Sequence, residues 1–129
     1  MARALVLMGS GETSPTMVTP HQQILKNIVG KKFILDTPYG FQENANELTE
    51  KIRSYFELNV GVKADEARLR SQIDRAADIA SAIANINSAE WVFTGPGSPT
   101  YALKTWRETG ASEALKNLLT RGTLVVSSA

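Results

Sequence analysis

Short apolar segments alternate with segments of helical periodicity along the chain, and this alternation constrains the fold more than any other feature. Five segments have the apolar composition of buried strands, and we predict strands at 4–8, 32–36, 58–62, 90–94 and 123–127, the third being the weakest. Helical patterns separate them, which favours a mostly parallel sheet flanked by helices on both faces. The sequence therefore predicts a doubly wound α/β fold with three layers.

Apolar stripes and capping residues define the helical segments. Thr19 is the predicted N-cap of the first helix, with Pro20 at its first position and Gly30 just beyond its end. We predict helices at 19–29, 41–56, 69–87, 99–106 and 112–121. We interpret the charged residues around the start of the third helix as a solvated surface: Asp65, Glu66, Arg68, Arg70, Asp74 and Arg75.

Composition and charge exclude several classes of protein. Of the 129 residues, 43% are hydrophobic and 21% are charged, as in an ordinary globular domain. The net charge is +1 and no charged block occurs, so a nucleic-acid or anionic-membrane partner is not expected. No apolar run approaches the roughly 20 residues that span a bilayer, and the N-terminal apolar stretch is too short for a signal peptide. We therefore expect a cytoplasmic protein.

The absence of cysteine narrows the chemistry further. Without cysteine the chain has no disulfide, no thiolate metal site and no cysteine nucleophile. No motif indicates a metal ion or a cofactor, and we expect neither. The three loops of unusual composition are therefore the candidates for a functional site: "GSGETSP" at 9–15, "GPGSPTY" at 95–101 and "SSA" at 127–129. Each follows a predicted strand, where parallel α/β sheets bind their ligands.

The loop after the first strand contains two glycines and an acidic residue. One interpretation is an ordinary tight turn. The alternative is a backbone cradle for an anionic substrate group, formed around Gly9 and Gly11, with Glu12 near the edge of the site. Both interpretations remain open, because the glycine spacing does not complete a dinucleotide-binding fingerprint.

The loop after the fourth strand is more specific. Ser98 can cap a helix that begins at Pro99, and this leaves backbone N–H groups, including that of Gly97, pointing away from the helix. Fixed N–H donors of this kind form the oxyanion hole of acyl-transfer enzymes. The alternative is a capped strand-to-helix turn without any chemistry.

The segment "VVSSA" has the strand and the small residues of a nucleophile elbow. An ordinary strand end is the alternative. Taken with the two glycine loops, however, the motifs "GSGE", "FTGPGSPTYAL" and "VVSSA" resemble, in this order, the class I glutamine amidotransferase-like fold, a flavodoxin-like three-layer arrangement. Within it they most resemble the dipeptidase E and cyanophycinase group of serine peptidases. True glutamine amidotransferases share "GPGSP" but need a cysteine nucleophile, which this chain lacks.

The resemblance implies a serine hydrolase that cleaves a peptide or amide bond through an acyl-enzyme. It implies that Ser128 is the nucleophile, although Ser127 stays an alternative, and that the Gly97 N–H belongs to the oxyanion hole. Gly95 would shape that loop. The expected substrate-binding residues are Gly9, Gly11, Glu12, Gly95 and Ser98. The expected partner is a small peptide or amide substrate; its identity is not readable from the sequence.

Two departures from the family pattern affect this hypothesis. Val126 stands where the elbow normally has glycine, and the residue that should follow Ala129 in the elbow is absent. The histidine and acid that activate the serine follow the elbow in that family. We interpret His21, the single histidine, as a surface or helix-start residue rather than a base. Residues 1–129 are thus expected to form one domain that is the N-terminal part of a larger one. By themselves they should be inactive, and exposed apolar sheet surface should make them marginally stable or self-associating, as in a homo-oligomer.

Two other hypotheses stay open. The same crevice could serve a catalytically silent domain that binds a small anion, or a nucleotide-binding module. No acidic residue stands where ribose recognition expects one after the second strand, and Asp36 is nearer than that pattern requires. Tyr39, Gln42 and Asn44 could line the cleft, but we interpret their segment as a turn that leads into a helix. We expect Trp91 and Trp106 in the core.

Overall fold

A five-stranded, all-parallel sheet flanked by helices forms the framework of the computed structural model, which describes residues 3–9 and 11–127. Across the sheet the strand order is β1-β5-β4-β2-β3. The strands are β1 (Ala4–Met8), β2 (Lys31–Leu35), β3 (Asp65–Ala67), β4 (Ala89–Thr94) and β5 (Thr123–Ser127). The predicted α/β fold with a parallel, helix-flanked sheet is confirmed.

Five α-helices and three short helical turns connect the strands in the described part of the chain. The α-helices are α1 (Val18–Leu25), α2 (Ala45–Tyr55), α3 (Ala76–Ser88), α4 (Pro99–Thr109) and α5 (Ala111–Leu118). The turns are two 3₁₀ segments, Pro15–Met17 and Thr37–Tyr39, and one π-helical turn, Phe56–Val60. In the described residues, no helix combines the length and the apolar character that crossing a membrane requires.

The third strand was predicted in the wrong place. Residues 58–62 do not form a strand: they overlap the π-helical turn, and β3 follows a few residues later. The turn ends where Gly61 adopts φ +88° and donates its N–H to the Phe56 carbonyl at 2.7 Å. Phe56 and Val60 are buried while Leu58 is 81% exposed, so the apolar run belongs to a helix that packs with one face.

Two helix starts also differ from the prediction. The first helix begins at Val18, so Thr19 lies inside it and is not the N-cap. The third begins at Ala76 rather than near residue 69, because the preceding residues pair with the loop after β2. Consequently Arg70 is not part of a solvated helix start: it forms an ion pair with the buried Asp36.

Phe41 lies outside α2, which begins at Ala45, and is 56% exposed. Its ring contacts Tyr101 edge-on at a centroid distance of 5.2 Å. The predicted apolar stripe of α2 therefore starts one turn later than the sequence suggested.

The sheet separates two hydrophobic clusters because successive side chains of a strand point to opposite faces. Ile34, Trp91, Phe93 and Val125 pack on the face covered by α1 and α2. The opposite cluster contains Phe33, Leu35, Val92 and Leu124, together with residues of α3 and α5. Trp91 is fully buried, as expected, whereas Trp106 is partly buried against the second cluster.

The edge strand β1 leaves apolar side chains uncovered. Leu5 is 55% exposed and Leu7 is 75% exposed. They pair in register with Leu124 and Val126 of β5, so all four side chains share one face of the sheet. Exposed leucines on an open edge strand form a surface on which chains can associate.

We predict that Leu7→Lys reduces self-association of the chain. A charge placed on the open edge disfavours pairing of two apolar surfaces. Sedimentation velocity over a range of protein concentrations should show less concentration dependence for the variant than for the natural sequence. Val29→Lys is the matched control, because Val29 is 92% exposed and lies away from β1. Equal behaviour of Leu7→Lys and the natural sequence would contradict this role of β1.

Candidate functional site

The loops that follow β2 and β4 meet the end of β5 at the carboxyl edge of the sheet. They enclose a pocket of about 290 Å³ against the start of α4. We call it the α4 pocket. Its lining residues are Pro38, Thr94, Gly97, Pro99, Ala102, Leu103, Trp106, Val126 and Ser127. The structure thus brings Gly97 next to the end of β5, and the lining of the pocket is mostly apolar.

Ser98 caps α4 as the sequence predicts. Its side-chain oxygen accepts the backbone N–H of Tyr101 at 3.1 Å, and Pro99 occupies the first turn of the helix. The backbone N–H of Ser98 itself donates to the Pro38 carbonyl at 2.8 Å. The hydroxyl and the N–H of Ser98 are therefore both engaged in holding the loop, and Ser98 does not line the α4 pocket.

Gly97 is held where only glycine fits. A Cβ atom at this position would lie 2.0 Å from the Pro38 carbonyl oxygen, and the φ angle is +157°. Within residues 3–9 and 11–127 no group accepts a hydrogen bond from the Gly97 N–H. Gly95 is similarly crowded, since a Cβ there would lie 2.5 Å from Cε1 of Tyr39. The contact with the loop after β2 thus fixes the backbone of residues 95–97.

Ser127, the last described residue, is 7% exposed, and its hydroxyl donates to the Thr94 carbonyl at 2.9 Å. That bond ties the end of β5 to the end of β4 and occupies the Ser127 hydroxyl. Ser128, the predicted nucleophile, and Ala129 lie outside the described residues.

The loop after β1 forms a second site at the same edge. Glu12 is 7% exposed, and its backbone carbonyl accepts a hydrogen bond from a ring nitrogen of His21 at 2.7 Å. Gly11 adopts φ +85°, and the carbonyl of Ser14 accepts the Tyr55 hydroxyl at 2.8 Å. The other predicted glycine, Gly9, has open space around it, and Ser10 is not among the described residues.

A smaller cavity of about 180 Å³ opens beside this loop. We call it the Glu12 pocket. Its lining residues are Glu12, Thr13, Tyr39, Leu48, Lys51, Ile52 and Pro96. Tyr39 is the member of the predicted cleft residues that reaches it, whereas Gln42 and Asn44 line neither pocket. The Tyr39 hydroxyl is hydrogen-bonded to Thr49 at 2.6 Å, and burial raises the pKa of Tyr39 far above its usual value.

His21 lies in the first turn of α1 but is fully buried, so the expected helix-start position is confirmed and the expected surface position is wrong. Its ring packs edge-on against the rings of Phe56 and Phe93, with centroid distances of 4.8 Å and 6.0 Å. Burial lowers the pKa of His21 below its ordinary value, although the hydrogen bond to Glu12 opposes the change. The neutral ring donates from Nε2 to the Glu12 carbonyl, while Nδ1 has no partner among the described residues. The sequence signal that could have predicted this burial is the spacing of four residues between His21 and Leu25, which places both on one face of α1.

Sequence reasoning also missed a buried ion pair that supports the site. The Asp36 carboxylate, completely buried, accepts the Leu69 backbone N–H at 2.7 Å and Nε of Arg70 at 2.8 Å. Burial raises the pKa of Asp36, and both hydrogen bonds oppose that change. Thr37 donates its hydroxyl to the Leu69 carbonyl, and Tyr101 donates to the Arg70 carbonyl. These bonds fix the loop whose Pro38 carbonyl meets Gly97.

A structural similarity to a known protein was found, whereas the sequence comparisons gave none. No protein-family model matches the chain, and no curated protein matches it. The fold is similar to that of a crystallised peptidase from an acI-B1 Actinobacterium, with a TM-score of 0.72 and 17% sequence identity. The alignment covers 95% of this chain and 52% of the other, so the chain spans about half the length of that peptidase. At this identity the similarity shows a shared fold.

Among the described residues, no group of three or more His, Cys, Asp or Glu side chains is placed to hold a metal ion.

We predict that Gly97→Ala destabilises the protein by more than about 1–3 kcal/mol, the usual cost of an overpacked site. The added methyl group would overlap the Pro38 carbonyl, which is backbone and cannot rotate away. Chemical denaturation followed by circular dichroism measures the loss. Gly9→Ala is the control, because a Cβ at Gly9 meets nothing within 4 Å. If both variants are equally stable, residues 95–97 are not clamped as described.

We predict that His21 makes stability fall as the pH drops below about 6.5, its ordinary pKa in the unfolded chain. The unfolded chain then takes up a proton that the folded chain excludes, and the loss approaches about 1.4 kcal/mol per pH unit until the lowered folded pKa is reached. His21 is the single histidine, so His21→Gln should remove this slope between pH 6.5 and 5. Denaturation at a series of pH values measures it; an unchanged slope in His21→Gln would contradict the prediction.

Proposed function

We propose that this chain carries the nucleophile and oxyanion half of a serine hydrolase that cleaves a peptide or amide bond through an acyl-enzyme. The observation that carries the proposal is the α4 pocket, in which Gly97, with an N–H that no described residue accepts, lies beside the end of β5. The crystallised protein of similar fold is a peptidase, which agrees with this reaction class.

The nucleophile in this proposal is Ser128. The hydroxyl of its neighbour Ser127 is committed to the Thr94 carbonyl, which disfavours Ser127 as the attacking group. Ser128 follows Ser127, the last residue of β5, directly in the sequence. Its Oγ would attack the substrate carbonyl carbon and form the acyl-enzyme as the amine leaves with a proton.

The proposed role of Gly97 is to donate its N–H to the oxyanion that develops during attack. A donor of this kind contributes about 10²–10³-fold to the rate when it is fixed in advance. The Pro38 carbonyl fixes it here, because it receives the Ser98 N–H and leaves no room for a side chain at residue 97. The apolar side chains of Leu103, Trp106 and Val126 suit a substrate with an apolar group next to the scissile bond.

His21 does not serve as the base in this proposal. Its Nε2 is bound to the Glu12 carbonyl, and its ring is enclosed by Phe56 and Phe93 on the face of the sheet that α1 and α2 cover. The α4 pocket contains Trp106 and Val126, which belong to the opposite cluster. In the dipeptidase E and cyanophycinase group, which the motifs resemble, the histidine and acid follow the elbow. We propose the same source here, outside these 129 residues.

The competing hypothesis is a catalytically silent domain that binds a small ligand in the same crevice. It requires no activated serine and therefore predicts no covalent labelling by reagents that depend on one.

We predict that a fluorophosphonate labels Ser128 in the longest natural chain that contains these residues. Ser128→Ala should abolish labelling and lower peptide hydrolysis by about 10⁴-fold or more, because loss of a nucleophile leaves only the oxyanion contribution. Ser127→Ala is the matched control and should retain most activity. Mass spectrometry of the labelled peptide and assays on a dipeptide panel measure both effects.

Two results would contradict the proposal. Labelling that disappears only in Ser127→Ala would move the nucleophile by one residue. A protein that hydrolyses no peptide or amide and takes up no label would support the silent binding domain.

A further inference from the structure

Arg70 joins two elements that are far apart in the sequence. Its backbone carbonyl accepts the hydroxyl of Tyr101, which lies in the first turn of α4. Its side chain donates from Nε to the Asp36 carboxylate at 2.8 Å, and Asp36 directly precedes the 3₁₀ turn Thr37–Tyr39. Arg70 therefore connects α4 to the loop after β2, although it lines neither pocket itself.

Further bonds fix the position of Arg70. Its backbone N–H donates to the Asp74 carboxylate at 2.8 Å. Its guanidinium also donates to the side-chain oxygen of Asn46 and lies 3.8 Å from a carboxylate oxygen of Glu66. The planar fork of an arginine can hold several acceptors at once in fixed directions. The carbonyl that accepts the Tyr101 hydroxyl is therefore a fixed point of the structure.

The Gly97 N–H lies in a loop that depends on its neighbours for its position. Residues 95–97 contain two glycines, which leave the backbone more conformational freedom than other residues do. The backbone bond between this loop and the loop after β2 runs from the Ser98 N–H to the Pro38 carbonyl at 2.8 Å. The direction of the Gly97 N–H therefore follows from the placement of Pro38 relative to the start of α4.

We propose that Arg70 and Tyr101 are positioning residues for the oxyanion donor, the Gly97 N–H. Through Asp36, Arg70 holds the loop that carries Pro38, and Tyr101 fastens the first turn of α4 to the same arginine. This inference rests on the proposed hydrolase function, because the Gly97 N–H has a catalytic role only in that reaction.

The first test is Tyr101→Phe in the longest natural chain that contains these residues. The variant keeps the ring that contacts Phe41 and removes the hydroxyl alone. The probe is the fluorophosphonate, because negative charge develops on the phosphonyl oxygen when a serine attacks the phosphorus. A displacement of a catalytic group by about 1 Å can cost about 10²-fold in rate.

We expect the maximal labelling rate of Tyr101→Phe to fall about 10–100-fold, while the probe concentration that gives half of this rate changes by less than about twofold. Thr109→Val is the matched control, since it removes another hydroxyl of α4, whose bond to the Thr105 carbonyl stays within the helix. Destabilisation alone would lower the amount of folded protein and leave the labelling rate of the folded fraction unchanged. Equal maximal rates for Tyr101→Phe and the natural sequence would overturn the proposal.

Arg70→Lys tests the other half of the connection. Lysine keeps the positive charge beside Asp36, but its single ammonium cannot reproduce the fork that also reaches Asn46. We therefore expect a lower maximal labelling rate at an unchanged half-saturating concentration. Arg53→Lys is the control, because the Arg53 side chain pairs with Glu50 of the same helix. Equal maximal rates for Arg70→Lys and Arg53→Lys would contradict the role of Arg70.

NMR of the Gly97 amide in the same chain separates this inference from the proposed hydrolase function. The proton and nitrogen shifts of this amide report its surroundings whether or not a serine reacts. They should move in Tyr101→Phe and Arg70→Lys and stay unchanged in Thr109→Val. If the probe labels Ser128 but Tyr101→Phe changes neither the rate nor the Gly97 amide, the positioning role fails alone. If the Gly97 amide moves and no serine is labelled, the hydrolase function fails, and the two residues position this N–H without a catalytic role.

Discussion

The contact between the Pro38 carbonyl and residues 97–98 is the constraint on which the carboxyl edge of the sheet depends. The carbonyl accepts the Ser98 N–H at 2.8 Å, and it would lie 2.0 Å from any Cβ at Gly97. Because the buried pair of Asp36 and Arg70 holds the loop that carries Pro38, the backbone after β4 is fixed by contacts with the loop after β2. Backbone contacts therefore hold the wall between the two pockets in place.

The sequence was most informative where the determinants are local. Alternating strand and helix patterns predicted the parallel sheet, and four of the five strands lie within a residue of the predicted positions. The cap at Ser98 was predicted correctly because serine followed by proline acts within one helical turn. The grouping of Gly97 with the end of β5 followed from the general rule that loops at the carboxyl ends of parallel strands converge.

Long-range contacts account for the features that the sequence did not predict. Asp36 and Arg70 are separated by 34 positions, and nothing local marks the arginine as the partner of a buried acid. His21 looked like a residue of an exposed helix start, but Phe56 and Phe93 cover it from distant segments.

The π-helical turn at Phe56–Val60 makes the protein sensitive to chain length at Leu58, a position that tolerates changes of residue type. The wide turn lets both end residues reach the core, where the Phe56 ring meets His21, Trp91 and Phe93. Leu58, in the middle, points to solvent and makes few demands on its side chain. Removing a single residue would close the turn into an ordinary α-helix and rotate the downstream chain by about 100°. A substitution scan would thus rate Leu58 as unimportant, and a deletion scan would rate the same position as essential.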